Sequence, residues 1–359
     1  MKKNQLILGV IVLAVLVGLA VYAQHQHPFD FHAFADQLKR ANWRQIAFAA
    51  GCIYLGYVFR AVRWALLIRP NKKIPIFSLL GTQVIGFTAV ALIGRVADLV
   101  RPYLVSKKTG LPISSQVAVY VVERLFDAGS MALIFSSVIL LAPTGALPHP
   151  EVFKKFGYWG LAGTVAGALF LVAVRMAGGA VARFFETTVG MVSKGLGQSI
   201  GDKVRSFRAG LDTLRTPADF AVTLGLSLGM WGLITLAYLE TARAFVASPE
   251  LASMTLAQDM VLMVSSGVAS VIQLPVLGWF TQIYAVAATL GNLFNVAQEP
   301  ATACAATLLL VTFLGIIPVG LIWAQFEHVS LRKIAAESEQ AGEAVEDSAT
   351  DETPEPSQA

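Results

Sequence analysis

Long apolar runs alternate along the chain with short polar connections, most of them basic. Runs of roughly 18–25 apolar residues are long enough to cross a hydrocarbon core as helices. The sequence offers them at 6–23, 46–68, 76–93, 113–141, 156–176, 220–247 and 301–326, with two shorter apolar arms at 260–274 and 276–290. The first run follows Lys2 and Lys3 and resembles a signal peptide, with Val21-Tyr22-Ala23 in the place of a cleavage site. It exceeds the usual apolar region of ~7–15 residues, so a retained first span is expected. Between 28 and 44, Phe29, Phe31, Phe34 and Leu38 recur near helical spacing. That spacing predicts a short amphipathic helix at the interface.

The charges orient these runs. Arg69, Lys72 and Lys73 precede 76–93, while Arg95, Arg101, Lys107 and Lys108 follow it. A full crossing would put the two basic loops on opposite sides, against the positive-inside rule. A re-entrant element of two half-helices within 76–93 keeps both loops on the cytoplasmic side, and is permitted where protein or water covers its backbone. The stretch 248–300 has no Lys or Arg and is expected outside. There the two arms meet at Leu274-Pro275-Val276-Leu277-Gly278, where proline breaks a helix and glycine frees the backbone, which predicts a second re-entrant hairpin from the opposite side. The expected fold is an all-α polytopic membrane protein with about six full spans, two oppositely oriented re-entrant hairpins and both termini cytoplasmic. That outline has the form of an inverted repeat, although no residue-level repeat accompanies it.

Composition agrees: 55% of the 359 residues are hydrophobic and 14% charged, against about 25% charged in soluble domains. Mean hydropathy is +0.64. One integral membrane domain over 1–334 is expected. Within it, about 178–217 carries basic residues around an apolar face (Val192, Leu196, Ile200, Val204, Phe207, Leu211, Leu214) and predicts a cytoplasmic amphipathic segment on anionic lipid. The tail 335–359 has eight acids and no Lys or Arg, and its composition predicts disorder. The basic residues are spread over several loops, so the expected partners are membrane lipids and not nucleic acid. Cys52 and Cys304 lie in apolar runs as packing residues. The five histidines (His25, His27, His32, His149, His328) lie in loops or near segment ends, and neither a metal site nor a cofactor is expected. Gly195-Leu196-Gly197-Gln198-Ser199-Ile200-Gly201 lacks the spacing and preceding strand of a nucleotide loop.

Against this background the polar stretch 94–127 stands out. It brings Arg95, Asp98, Arg101, Lys107, Lys108, Glu123, Arg124 and Asp127 among apolar spans. Ionisable groups at membrane depth tend to face a bundle interior or a watery cavity, which makes them candidates for function. Arg60 and Arg63, three apart, share a helix face. Guanidinium matches phosphate through bidentate hydrogen bonds, while arginines near a helix end also snorkel to headgroups. Glu123 and Asp127 share a face, with Arg124 about 100° round the helix. Two compatible readings follow: a buried ion-pair cluster that fixes packing, and a headgroup or proton-coupling site.

Arg60-x-x-Arg63-Trp64, Gly94-Arg95-x-x-Asp98-x-x-Arg101 and Glu123-Arg124-x-x-Asp127, in this order, resemble the motifs of the lysylphosphatidylglycerol synthase transmembrane region (UPF0104, flippase-like) family over roughly residues 5–330. This sequence has Ala97-Asp98 where the family usually has Gly-Glu, Ile93-Gly94 where it has proline, and neutral Gln282 near an expected acid. The resemblance implies a stand-alone flippase-like protein of the bacterial inner membrane, without an aminoacyl-transfer domain. It would move an anionic or aminoacylated phospholipid, a hopanoid or a polyprenyl-phosphate-type lipid. Arg60, Arg63, Arg95 and Arg101 would attract the headgroup, with Asp98, Glu123, Arg124 and Asp127 around them and Pro275, Gly278 and Gln282 forming a gate. The alternatives are a membrane-embedded lipid-phosphate transferase or hydrolase, and a scaffold that recruits a lipid-modifying enzyme. No nucleophile–base pair lies near the charged stretch, so a non-enzyme is expected.

Overall fold

A computed structural model describes residues 29–191, 193, 195, 197–201, 204, 216–271 and 277–351, except for the side chains of 95, 96, 277 and 342–351. Among the described residues there are helices and no strand. The first apolar run and Pro275 lie outside them, as do Val192, Leu196, Phe207, Leu211 and Leu214 of the apolar face expected in 178–217.

The chain opens with α1 (Phe31–Arg40), whose N-terminal amides of His32 and Ala33 donate to Asp30. Phe34 and Leu38 turn inward onto the core, so the aromatic spacing at 29–38 does form a helix. Then come α2 (Trp43–Ile68), α3 (Ile76–Ile93), a 3-10 turn (Arg95–Leu99), α4 (Val100–Thr109), α5 (Ile113–Leu140) and α6 (Pro150–Gly190). After residue 216 follow α7 (Pro217–Arg243), α8 (Leu256–Ala269), α9 (Leu277–Phe294), α10 (Gln298–Leu309), a π turn (Leu310–Leu314), α11 (Ile316–Phe326) and α12 (Leu331–Asp351). Both α7 and α8 start with reciprocal side-chain caps, Thr216 with Asp219 and Thr255 with Gln258. Such pairs satisfy amides that the first helical turn leaves free.

Among the described residues five helical segments are long and apolar enough to cross a membrane: Trp43–Ile68, Ile76–Ile93, Pro150–Gly190, Pro217–Arg243 and Gln298–Phe326. α5 matches them in length at 28 residues, but Glu123, Arg124 and Asp127 interrupt its apolar character. α6 bends at Ala177 (φ −134°, ψ 35°), where the apolar run 156–176 ends. Its Phe156, Trp159, Leu169 and Met176 are all exposed. An apolar stripe of this length in water would be an aggregation liability, whereas acyl chains cover it without cost.

The polarity of each helix follows from contacts at its ends. The Asn42 amide donates to Ala244 O (2.8 Å) and Arg243 Nε to Met254 O (2.9 Å), so the starts of α2 and α8 share one end of the bundle with the end of α7. At the other end, Lys72 Nζ donates to Thr109 O (2.5 Å), Lys108 Nζ to Ser78 O (3.1 Å), and Lys108 pairs with Glu327 at 2.7 Å. The start of α3 therefore lies beside the end of α4, and the two form a hairpin open at that end. α8 and α9 form the second hairpin: the Ser265 hydroxyl donates to Ala285 O (3.2 Å) and the Thr289 hydroxyl to Ser265 (2.8 Å). It opens at the opposite end.

Two expectations are corrected. The stretch 76–93 does not break into half-helices. α3 is continuous, and the chain turns at Gly94, whose φ of 94° suits glycine, before returning through the 3-10 turn and α4. Gly81 and Gly86 look like breakers in sequence but serve close packing: a Cβ on Gly81 would collide with Trp323, and one on Gly86 with Arg101. The acidic tail, in turn, begins as helix. Ile334, Ala335 and Ser338 of α12 are buried beside α3 and α4, and the Tyr103 hydroxyl donates to Glu337 at 2.9 Å. A composition rule counts the acids and misses this apolar edge, which begins before the acids accumulate.

Candidate functional site

Arg63 points from α2 into the bundle and is 1% exposed. Its Nη1 donates to Asp127 Oδ1 (2.6 Å) and to the Ser227 hydroxyl of α7 (2.7 Å), and its Nη2 to Glu123 Oε1 (2.8 Å). One guanidinium thus binds both carboxylates of α5 and ties three helices together. The Glu123/Asp127 spacing makes this possible, since residues four apart stand one above the other on a helix.

Arg101 arrives from the first hairpin, equally buried, and its Nη1 reaches both Glu123 oxygens at 3.2 Å and Gln83 Oε1 at 3.1 Å. Its path crosses α3 at Gly86, so the missing side chain there admits the arginine. The guanidinium sits 4.5 Å from the Phe87 ring centre, with Arg60 at 4.9 Å from the same ring. Cations over an aromatic face gain from its quadrupole.

Arg60, one turn before Arg63, is held more loosely. Its Nη1 stands 3.3 Å from Asp127 Oδ2 and 3.5 Å from Glu123 Oε1. It also forms part of the wall of a partly open cavity of about 260 Å³. Phe87 of α3, Trp231 and Tyr238 of α7, Ser266 and Ser270 at the end of α8, Gln282 of α9 and Thr312 of the π turn line the same space. Gln282 Nε2 donates to the Ser266 hydroxyl at 2.6 Å. The cavity is where the two oppositely opening hairpins approach each other.

The predicted residues divide accordingly. Arg60, Arg63, Arg101, Glu123 and Asp127 converge. Arg124 lies to one side, as its 100° offset implies: its side chain is 42% exposed, but its Nη2, 3.8 Å from Asp127, is buried, and its guanidinium packs over the Tyr120 ring. Asp98, on the 3-10 turn, lies within electrostatic reach of Arg124 and outside the hydrogen-bonded cluster. The side chain of Arg95 lies outside the described residues, as does Pro275. Gly278 is buried on α9, and Gln282 faces the cavity.

Sequence reasoning missed Gln83, Ser227 and the aromatic lining. The signal for the first two was a polar residue inside an apolar run. It also missed Asp259, a further buried acid, on α8, whose two carboxylate oxygens have no hydrogen-bond partner among the described residues. Within the charged cluster it is donors that remain unsatisfied: Arg63 Nε, Arg101 Nε and Gln83 Nε2 are buried without an acceptor. An excess of cationic donors over acceptors makes the region receptive to an anion. Among the described residues no group of three His, Cys, Asp or Glu side chains is placed to hold a metal.

Residues 6–320 match the family described as lysylphosphatidylglycerol synthase TM region. No curated protein and no solved structure matches the chain.

Proposed function

Since the chain belongs to the lysylphosphatidylglycerol synthase TM region family, we propose that this membrane protein of lipid-related function is a translocase that carries a lipid headgroup through the cavity beside Arg60. The observation that carries this reading is the placement of one loosely held guanidinium in the wall of a cavity between the two hairpins whose described lining holds no other charge. Arg63, Arg101, Glu123 and Asp127 form the frame that orients it. A frame of buried ion pairs holds Arg60 in place before the lipid arrives, so little ordering remains to oppose binding.

In this reading the hairpins enter the bilayer from opposite faces, the α3–α4 hairpin from the cytoplasm and the α8–α9 hairpin from outside. Both termini are cytoplasmic, in a bacterial inner membrane. Helix breaks lining a cavity are the form in which irregular backbone is tolerated at membrane depth. The lipid tails remain in the bilayer while the headgroup passes between the hairpins. The protein moves its substrate without altering it.

The test is movement of fluorescent phospholipids in proteoliposomes. With Arg60→Ala the rate should fall about 10- to 100-fold, the range expected for losing a charge-assisted contact, while the thermal midpoint in detergent stays near that of the unaltered protein. Unchanged transport by a folded Arg60→Ala protein would remove Arg60 from the pathway.

A further inference from the structure

Met263, Ser266 and Ser270 of α8 line the cavity beside Arg60. Their spacing of three and four places Asp259, four residues before Met263, on the same face of the helix. At about 1.5 Å of rise per residue it lies about 6 Å beyond Met263, toward the end of the bundle where α8 starts. Asp259 is 0% exposed, and neither of its carboxylate oxygens has a donor among the described residues.

The groups around it do little for a negative charge. From α7, Arg243 and Tyr238 lie within electrostatic reach, as does Cys304 from α10. Arg243 directs its Nε to Met254 O at 2.9 Å, and no hydrogen bond among the described residues joins it to Asp259. The Tyr238 hydroxyl is shared with Ser266 at 2.9 Å. Glu240, also on α7, accepts from Gln45. α9 brings Tyr284, which is 76% exposed. The charges of α5 belong to the arginine cluster, and the helix carries no titratable group after Asp127. A carboxylate buried without a donor is strongly disfavoured and is neutralised instead. A hard metal ion would ask for several oxygen ligands, whereas Met263 and Cys304 offer sulfur and the Tyr238 oxygen is engaged. A proton needs no further ligand.

We propose that Asp259 is a proton-binding site that couples the arms of the α8–α9 hairpin to a proton. With the arms closed, the carboxyl holds the proton as O–H. When they part, water reaches Asp259, the O–H bond breaks, and the proton leaves as hydronium. Closing reverses the step, so each cycle of the arms takes up and releases one proton. Protons thus favour the closed form, and the ratio of closed to open falls as pH rises, by up to about tenfold per pH unit for one proton. Only the opening of the hairpin is taken from the translocase reading.

The first test is infrared difference spectroscopy of the purified full chain in detergent. The unaltered protein should show the carbonyl band of a protonated carboxylic acid at neutral pH, and Asp259→Asn, which keeps the size of the side chain, should lose it. Absence of the band from the unaltered protein would overturn the site, and that result depends on no variant being folded. A band that persists in Asp259→Asn belongs to another carboxyl and would overturn it equally. The second test reads the arms through spin labels at Val268→Cys on α8 and Tyr284→Cys on α9, both exposed positions. Cys52 and Cys304 are buried and leave these two sites to be labelled. With Asp259 in place the distance should lengthen as pH rises, and with Asp259→Asn it should stay short at every pH. A distance independent of pH in the presence of Asp259, or one that depends on sodium instead, would overturn the coupling. Lipid movement in proteoliposomes separates the two levels of inference. Movement by a protein that lacks the band leaves the translocase reading and removes the proton site; the band and the pH-dependent distance without movement of any lipid leave the proton site and remove the translocase.

Discussion

The α3–α4 hairpin delivers Arg101 and Gln83 to an ion network and fastens its open end with Lys72 and Lys108. The α8–α9 hairpin, open at the other end of the bundle, is joined across its arms by hydroxyls and one amide: Ser265 with Ala285 and Thr289, Ser266 with Gln282. The shapes correspond, but the energetics do not. Removing one partner from a buried ion pair strands the other and costs about 3–5 kcal/mol, whereas a neutral hydrogen bond contributes about 0.5–1.5 kcal/mol net. Separating the arms of the second hairpin thus costs less than dislodging the first. The charged half acts as a fixed frame, and the neutral half is where opening meets least resistance.

The largest effect should come from breaking the frame at its centre. Arg63→Ala leaves Glu123 and Asp127 without their shortest contacts and Ser227 without its guanidinium partner. A loss of about 3–5 kcal/mol is expected, measurable as a depressed thermal midpoint in detergent. Arg60, one turn earlier on the same helix, makes longer contacts and should cost transport more than stability. If Arg60→Ala and Arg63→Ala fall equally in midpoint, the distinction between frame and ligand arginine fails.

The next effect is steric. Gly86→Ala puts a methyl group where Arg101 crosses α3, and overpacking of this kind costs about 1–3 kcal/mol. Because the clash displaces a guanidinium and not an apolar side chain, the variant should also weaken lipid binding, with a smaller loss of midpoint than Arg63→Ala. Wild-type binding in Gly86→Ala would mean that Arg101 serves the frame without influencing Arg60.

Gly86 also marks the boundary of what sequence could reveal here. The convergence of Arg60, Arg63, Glu123 and Asp127 was legible because helical spacing alone puts each pair on one face, and charge at membrane depth needs a partner. The placement of Arg124 beside that face follows from the same geometry. What pairs with them across helices was not legible: Ser227 and Gln83 depend on how α7 and α3 cross the others, which no local pattern encodes. Glycines within an apolar run are ambiguous in the same way. At Gly94 the backbone uses the freedom of glycine, whereas at Gly86 the structure uses its lack of a side chain. The two basic loops do share one end of the bundle, as expected, but the turn that brings them together lies at the end of α3 and not within it. The five candidate spans likewise leave out α5, whose charged residues were the reason to single it out.

The smallest effect concerns the edge of the frame, where α12 packs beside the first hairpin. Glu337, its side chain 29% exposed, accepts from the Tyr103 hydroxyl at 2.9 Å and lies 3.6 Å from Lys107 and 3.9 Å from Lys333. The Tyr103 hydrogen bond, with help from both lysines, holds its carboxyl below the usual range. A group whose folded pKa is depressed contributes stability that is fully present above its unfolded pKa, about 4.3 for Glu, and that is lost as pH falls through the lower folded value. Docking of α12 should therefore be insensitive to pH from about 7 to 5 and weaken in more acidic solution. Spin labels at Ser106 and Gln340 would report it as a broadened distance distribution on the acid side. Glu337→Gln should remove the acid transition and leave the distribution moderately broad at every pH. An acid transition that persists in Glu337→Gln would assign the docking to Ile334, Ala335 and Ser338, and make the edge of the frame an apolar contact instead of an electrostatic one.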